Sequence, residues 1–317
     1  MNKGDHMKKW ITLGLTLLGC VLLFYFREPI IAFFLENYTY KYANVKQEAN
    51  EYKKNLDIVF VKETDNFFPE SRQDLLNIFY TSLNNGVSSF TYYCTDKYKD
   101  CMQESERIAR DNALLSNINN MVHPYNSYKN LTFKLSNLGK VIVEVEKQYT
   151  EEQMGILNTR VNEIYGALIQ DGMDPVSKIK VIHDYLIQNS TYDQEKADNI
   201  VDGKIIKENA YSSETAMGVL TQGYGICSGF SDAMELFLIK MGIPTYKITS
   251  TTHIWNLVYL DGKWYHLDLT WDNPIVSGSG KLLLHDFFLI NTAKLKEIDT
   301  GHHTFDENIY KEAFITG

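Results

Sequence analysis

The sequence predicts an α+β fold carried behind one N-terminal helix of membrane length. Three observations predict it. Trp10–Phe26 is an apolar run without a charge, bounded by Lys8-Lys9 and Arg27-Glu28. From residue 55 onward, short runs rich in β-branched and aromatic residues are interspersed with helix-period runs, a pattern of helices set against an antiparallel sheet. Near the C-terminal third, Phe230, Ala233, Met234, Phe237 and Met241 recur at three- and four-residue steps, the stripe of a buried helix. Two strand-like runs joined by Asp261-Gly262 follow it.

Taken in order, residues 1–28 predict a membrane anchor or signal. The apolar run is at the short limit for a spanning helix and longer than a typical signal-peptide apolar region. Lysines on its N-terminal side predict that end in the cytoplasm. Leu17-Leu18-Gly19-Cys20 also resembles a lipoprotein cleavage box, but the residues after Cys20 are V-L-L-F-Y-F rather than a polar tether. A retained single-pass anchor is preferred, with lipidation at Cys20 second and cleavage third; all three place the rest of the chain outside the cytoplasmic membrane.

Residues 29–54 predict a juxtamembrane stalk, with an amphipathic helix over Ile30–Tyr52. Residues 55–150 predict a small α+β domain: strands Ile58–Val61, Ser89–Tyr93, Leu131–Leu135 and Lys140–Glu146, and helices Gln73–Asn84 and Gln103–His123. Leu138-Gly139 marks a hairpin turn between the last two strands. Cys94 and Cys101 lie close together in an exported segment and predict a disulfide, worth about 2 kcal/mol or slightly more by loop entropy. Substrate presentation or spacing is the expected role of this domain.

Residues 151–317 predict the domain that carries chemistry. Tyr149–Gly172 reads as a linking helix, and Asp174-Pro175 is a cap and first-turn pair for the next one. On that helix His183 and Asp184 are adjacent, so they point about a third of a turn apart and are not expected to pair; His183 is expected to be structural. Cys227 follows a glycine-bearing turn and opens the striped helix, whose expected end is Gly242 with Pro244 beyond. At a helix start the macrodipole and unpaired N–H groups favour a thiolate and a developing oxyanion. Gly229 leaves room for close approach of backbone or substrate.

Thr252–Leu260 and Lys263–Leu269 then predict a hairpin through Asp261-Gly262. If Leu260 faces Lys263, counting back pairs Trp255 with Asp268 and His253 with Thr270. His253 and Asp268 become diagonal neighbours on one face, and a slip of one residue would separate them. A thiol is a useful nucleophile at neutral pH only with a base beside it, and a third group must orient that base. Cys227, His253 and Asp268 supply these three types.

The same residues resemble the transglutaminase-like superfamily of papain-type thiol enzymes. The matching elements are G-x-G-x-C-x-G-F at Cys227, H-x-W-N-x-V at His253, the D-G-K-W-Y hairpin and D-x-T-W-D at Asp268. Asp174–Asp193 looks like the helix preceding the core in bacterial members, and Asp286–Ile290 with His302 like their tail. The resemblance implies a core in which the cysteine helix packs on an antiparallel sheet bearing histidine and aspartate. It implies Cys227 as nucleophile, His253 as base and acid, and Asp268 as orienting carboxylate. Ile226 stands where animal crosslinking enzymes carry glutamine, and their upstream oxyanion tryptophan is not seen. Hydrolysis of a peptide or protein, wall-linked peptides included, is therefore preferred over amine transfer, and both over a non-catalytic binding module. Oxyanion candidates are the Cys227 N–H with Gln222 or, second, Tyr192.

No phosphate loop or dinucleotide fingerprint appears, and no cofactor is expected. His285 and His302-His303 lack a second ligand cluster at usable spacing, so no metal is expected. Asp272 is expected to fix the strand end or tail. The net charge of −9 and the absence of a basic run outside the apolar segment disfavour nucleic acid; most of the 21 tyrosines are expected to serve packing.

Overall fold

A computed structural model describes residues 3–34, 50–136, 138–201, 204–205, 207, 209–274, 282–299 and 301–314. Helix α1 (Lys3–Tyr25) is long and apolar enough over Lys8–Tyr25 to cross a membrane, and none of that window is buried in the protein. Helix α2 (Arg27–Phe34) follows directly. Helix α2 covers the start of the expected stalk helix, residues 50–52 at its expected end are not helical, and 35–49 lie outside the described residues.

The next segment was expected to open with a strand at Ile58–Val61. Ile58 and Val61 are buried, but no strand forms among the described residues. Side chains take the hydrogen bonds instead: Val59 N–H donates to Glu312 Oε1 (2.5 Å), and Lys62 N–H to Asn77 Oδ1 (3.0 Å). Helix α3 (Arg72–Asn84) is capped by Ser71, and β1 (Ser89–Tyr93) follows. The helix expected over Gln103–His123 is two, α4 (Cys101–Arg110) and α5 (Asn112–Asn120). Asp111 causes the break: its backbone leaves the helical region and its side chain accepts from Leu114 N–H at 2.9 Å, restarting the helix. Strands β2 (Tyr128–Leu135) and β3 (Lys140–Lys147) form a hairpin, with Gly139 at φ +80°, and the antiparallel order is β1-β3-β2. Cys94 and Cys101 are joined as a disulfide across a Cα separation of 5.5 Å.

Helix α6 (Glu151–Leu168) carries a capping box from Thr150, and α7 (Pro175–Asn189) is capped by Asp174 with proline in its first turn. Strand β4 (Thr191–Tyr192), helix α8 (Gln194–Asp198), and the short pair β5 (Ile200–Val201) and β6 (Lys204–Ile205) come next. A π-turn at Gly218–Gln222 leads into β7 (Tyr224–Gly225), which pairs parallel with β4. Helix α9 (Cys227–Lys240) ends ahead of Gly242, which is left-handed at φ +72°. Strands β8 (Thr245–Thr249), β9 (Ile254–Leu260) and β10 (Lys263–Leu267) form an antiparallel sheet, and α10 (Thr292–Ile298) follows. The second strand of the hairpin stops at Leu267, short of the expected Leu269.

One apolar cluster fills the space between α6, α7, α9 and the second sheet, with Leu157, Ile182, Phe230, Phe237 and Leu267 inside it. The other joins residues on both sides of the expected boundary at 150: Phe79, Tyr92, Ile118 and Val143 pack with Tyr246, Trp255, Leu257 and Tyr310. Buried charges also cross that boundary. Lys54 Nζ lies 2.6 Å from Glu235 Oε1 of α9, and Tyr149 donates to Asp232 Oδ2 at 2.6 Å, while Asp232 is paired on its own side of the boundary with Lys247 of β8. Each of these charges has an opposite partner, which burial demands.

Candidate active site

Cys227 is the first residue of α9, half-buried and a free thiol. Its placement starts two elements upstream. Asp193 accepts from Ser213 Oγ (2.5 Å) and Asn209 Nδ2 (2.8 Å), and the Ser213 carbonyl accepts Ile226 N–H at 2.8 Å. A Cβ on Gly229 would come within 2.2 Å of that same carbonyl. Glycine is therefore needed for close approach of backbone rather than of substrate, and it lets the Ser213 loop lie against the first turn of α9.

The hairpin makes the register anticipated from its turn. Asp261 (φ +49°) and Gly262 (φ +82°) both adopt left-handed backbone, as a type I′ turn demands. Leu260 faces Lys263, and the ladder runs to Leu267 opposite Asn256. His253 and Asp268 sit just past its end, with His253 Nε2 2.5 Å from Asp268 Oδ2. Cys227 is also among the groups whose field acts on the His253 ring, which makes sulfur and imidazole neighbours. Because Nε2 is held by Asp268, Nδ1 is the ring atom left for sulfur. The sequence-predicted cysteine, histidine and aspartate are thus brought to one place.

Burial favours the neutral imidazole, but the charge and hydrogen bond of Asp268, then those of Cys227, outweigh it, and His253 is raised to about 10. Burial alone would raise Asp268; His253 and then His303 overcome it and hold the carboxyl well below the usual carboxylate range. Asp268 Oδ1 accepts from Thr270 N–H (2.8 Å), Thr270 Oγ1 (2.6 Å) and Trp271 N–H (3.3 Å). Trp255 stacks on His253 with ring centroids 5.6 Å apart, and its Nε1 donates to His266 Nδ1 at 2.9 Å. Burial, and next the charge of His303, hold His266 down to about 3, so it accepts that bond as a neutral ring.

The two oxyanion candidates are placed differently. Gln222 is exposed, and its Oε1 accepts from Ser212 N–H at 2.7 Å. Tyr192 pairs with Gly225 in the strand beside Cys227. Burial first, then the negative charge of Cys227 and Asp268, push its phenol well above the ordinary value. Tyr192 therefore keeps its proton.

Two histidines behave differently from expectation. In the tail it is His303, not His302, that reaches the site: His303 is buried with Nε2 2.9 Å from Asp268 Oδ2, while His302 is exposed. No local signal distinguishes the two, since they are neighbours of one type. His183 does pair with Asp184, Nδ1 to Oδ1 at 2.9 Å. Asp184 is drawn to that side by Lys180 Nζ (2.7 Å) and His285 Nε2 (2.7 Å). His183 Nε2 meets Asp272 Oδ2 at 3.2 Å, and Asp272 Oδ1 accepts Phe287 N–H at 3.0 Å, so Asp272 fastens the tail. Among the described residues, two groups hold histidine and aspartate side-chain N or O atoms within 4.8 Å of one another: His183, Asp184 and His285, and His253, Asp268 and His303. In the first, Lys180 Nζ is itself 2.7 Å from His285 Nε2 and already supplies a cation.

Residues 163–269 match the family described as the transglutaminase-like superfamily. A solved structure described as the crystal structure of a TGase is similar over 45% of this chain and 44% of its own length, at 17% identity and a TM-score of 0.32. This chain thus spans less than half of that structure. No curated protein matches the sequence. The matched segment runs from α6 through the hairpin, takes in Cys227, His253 and Asp268, and is a transglutaminase-like domain.

Proposed function

We propose that the protein is a thiol enzyme that hydrolyses peptide-type amides through a thioester on Cys227, outside the cytoplasmic membrane, with its apolar N-terminal helix as anchor. The observation that supports this reading is the His253–Asp268 pair set beside Cys227 at the start of a helix. In the proposed reaction the sulfur attacks the amide carbon, and the carbonyl oxygen gains charge facing the unpaired N–H groups of the first turn of α9. Tyr192 is the second donor to that oxygen, in place of Gln222. The C–N bond breaks as His253 gives its proton to the departing amine, leaving a thioester. Water then attacks the thioester carbon, its proton passes to His253, and the C–S bond breaks to release the acid and restore the thiol.

Hydrolysis is preferred to amine transfer because Ile226 precedes the cysteine and the upstream tryptophan of crosslinking enzymes is not seen. Incubating the full chain in detergent with a peptide library and a labelled primary amine tests the choice. Cleavage dependent on Cys227 is expected, and amine incorporation without cleavage overturns it. Iodoacetamide at pH 6 tests the enzymatic reading itself. An unassisted thiol near 8.5 is only about 0.3% thiolate at that pH, so His253→Ala should slow alkylation of Cys227 on the order of a hundredfold. A rate already equal to that of a free thiol would indicate a binding module instead.

A further inference from the structure

His303 and Asp299 continue the contact chain beyond Asp268, and the proposed reaction above makes no use of either. Asp268 Oδ2 is shared: His253 Nε2 approaches it at 2.5 Å and His303 Nε2 at 2.9 Å. The other ring nitrogen of His303 lies 2.6 Å from Asp299 Oδ2. Ionised carboxylates only accept hydrogen bonds, so satisfying both contacts requires both nitrogens of His303 to donate. The ring is then an imidazolium between two carboxylates. Its charge bears on both neighbours, helping to hold Asp268 ionised and His266 neutral.

The surroundings fix this ring in place. Phe287 stacks on it at 5.0 Å, while Trp255 (4.7 Å), Trp271 (4.9 Å) and His253 (5.2 Å) meet it edge-on. Asp299 is itself anchored by the N–H groups of Gly301 (3.0 Å), His302 (3.0 Å) and His303 (2.9 Å). The titratable groups facing His303 are Asp268 and His266 from the hairpin, His253 from the start of β9, and Asp299 from the end of α10.

We infer that His303 is a positioning residue: held by Asp299, it fixes the Asp268 carboxylate toward His253 and offsets part of its charge, so that proton affinity across the Cys227–His253 pair is set from the C-terminal tail. This rests on the thiol-enzyme reading. Without the offset, Asp268 would hold the proton on His253 more strongly. The tail would then be part of the proton chemistry as well as of the fold.

The test is the rate of Cys227 alkylation by iodoacetamide against pH, from about 4 to 11, on the full chain in detergent. Two apparent steps are expected, belonging to the thiol–imidazole pair as a unit. His303→Gln keeps a donor for Asp268 and removes the positive charge. Both steps should move to higher pH, the upper by about half a unit or more, which is the effect of one charge at roughly 5 Å even in the dielectric of water. His302→Ala should leave both steps in place. If His303→Gln fails to fold, Asp299→Asn serves, with a smaller shift in the same direction. An intact two-step profile whose upper step is unmoved or lowered in the folded variant overturns the inference and leaves the thiol-enzyme reading standing. A single step at the position of a free thiol in the unaltered chain overturns both.

Discussion

Tyr192 and Gln222 show how backbone pairing selects between side chains of similar chemistry. Both lie near Cys227 by sequence reasoning, but Gln222 spends its acceptor on Ser212, whereas Tyr192 is carried beside Gly225 by strand pairing. Tyr192→Phe should lower kcat by roughly a hundredfold, the effect of removing one oxyanion donor, with Gln222→Ala near the unaltered rate; the measurement is turnover of a peptide identified by the library. The His253–Asp268 pair also predicts a stability profile. His253 is raised to about 10 in the fold, so its contribution is complete below the unfolded value near 6.5 and declines as pH rises toward 10. Asp268 is depressed, so its contribution is present above the unfolded value near 3.9 and is lost on further acidification. Thermal melts should therefore show a contribution greatest between about pH 4 and 6.5, and His253→Gln should flatten it.

Among the elements, the hairpin was the most legible. Asp261-Gly262 admits one tight turn, that turn fixes the register, and register decides that His253 and Asp268 share a face. The start of α9 was legible too, because the turn glycines and the apolar stripe bracket Cys227. The segment at Ile58–Val61 was misread because its β-branched composition is satisfied by side-chain hydrogen bonds from Glu312 and Asn77, which lie elsewhere in the chain. His303 and the His183–Asp184 pair escaped for a related reason, since partners 35 and 101 residues away decide their geometry. At element scale the sharpest test is Gly229→Ala. Its Cβ would fall 2.2 Å from the Ser213 carbonyl, a backbone atom. The expected cost is about 1–3 kcal/mol by overpacking, seen as a lowered denaturation midpoint, together with slower alkylation of Cys227 because the helix start must shift.

Across the whole molecule, the two sheets share one apolar cluster, and the buried Lys54–Glu235 pair ties the segment before β1 to α9. Lys54→Met would leave Glu235 without its closest cation among the described residues, with Lys247 next at 3.8 Å. A loss of about 3 kcal/mol in global unfolding is expected, most of it recovered in the double variant Lys54→Met with Glu235→Leu, since removing both charges also removes the cost of burying them. The Tyr246, Trp255 and Leu257 face of β8–β9 is covered by residues that precede position 150 and by the tail at Tyr310. A polypeptide begun at residue 151 would therefore present a bare aromatic wall to water, directly behind the tryptophan that shields the imidazole. Such a fragment should be sticky and poorly reactive for the same reason, and the segment before residue 151 is better regarded as the back plate of the candidate site than as a handle.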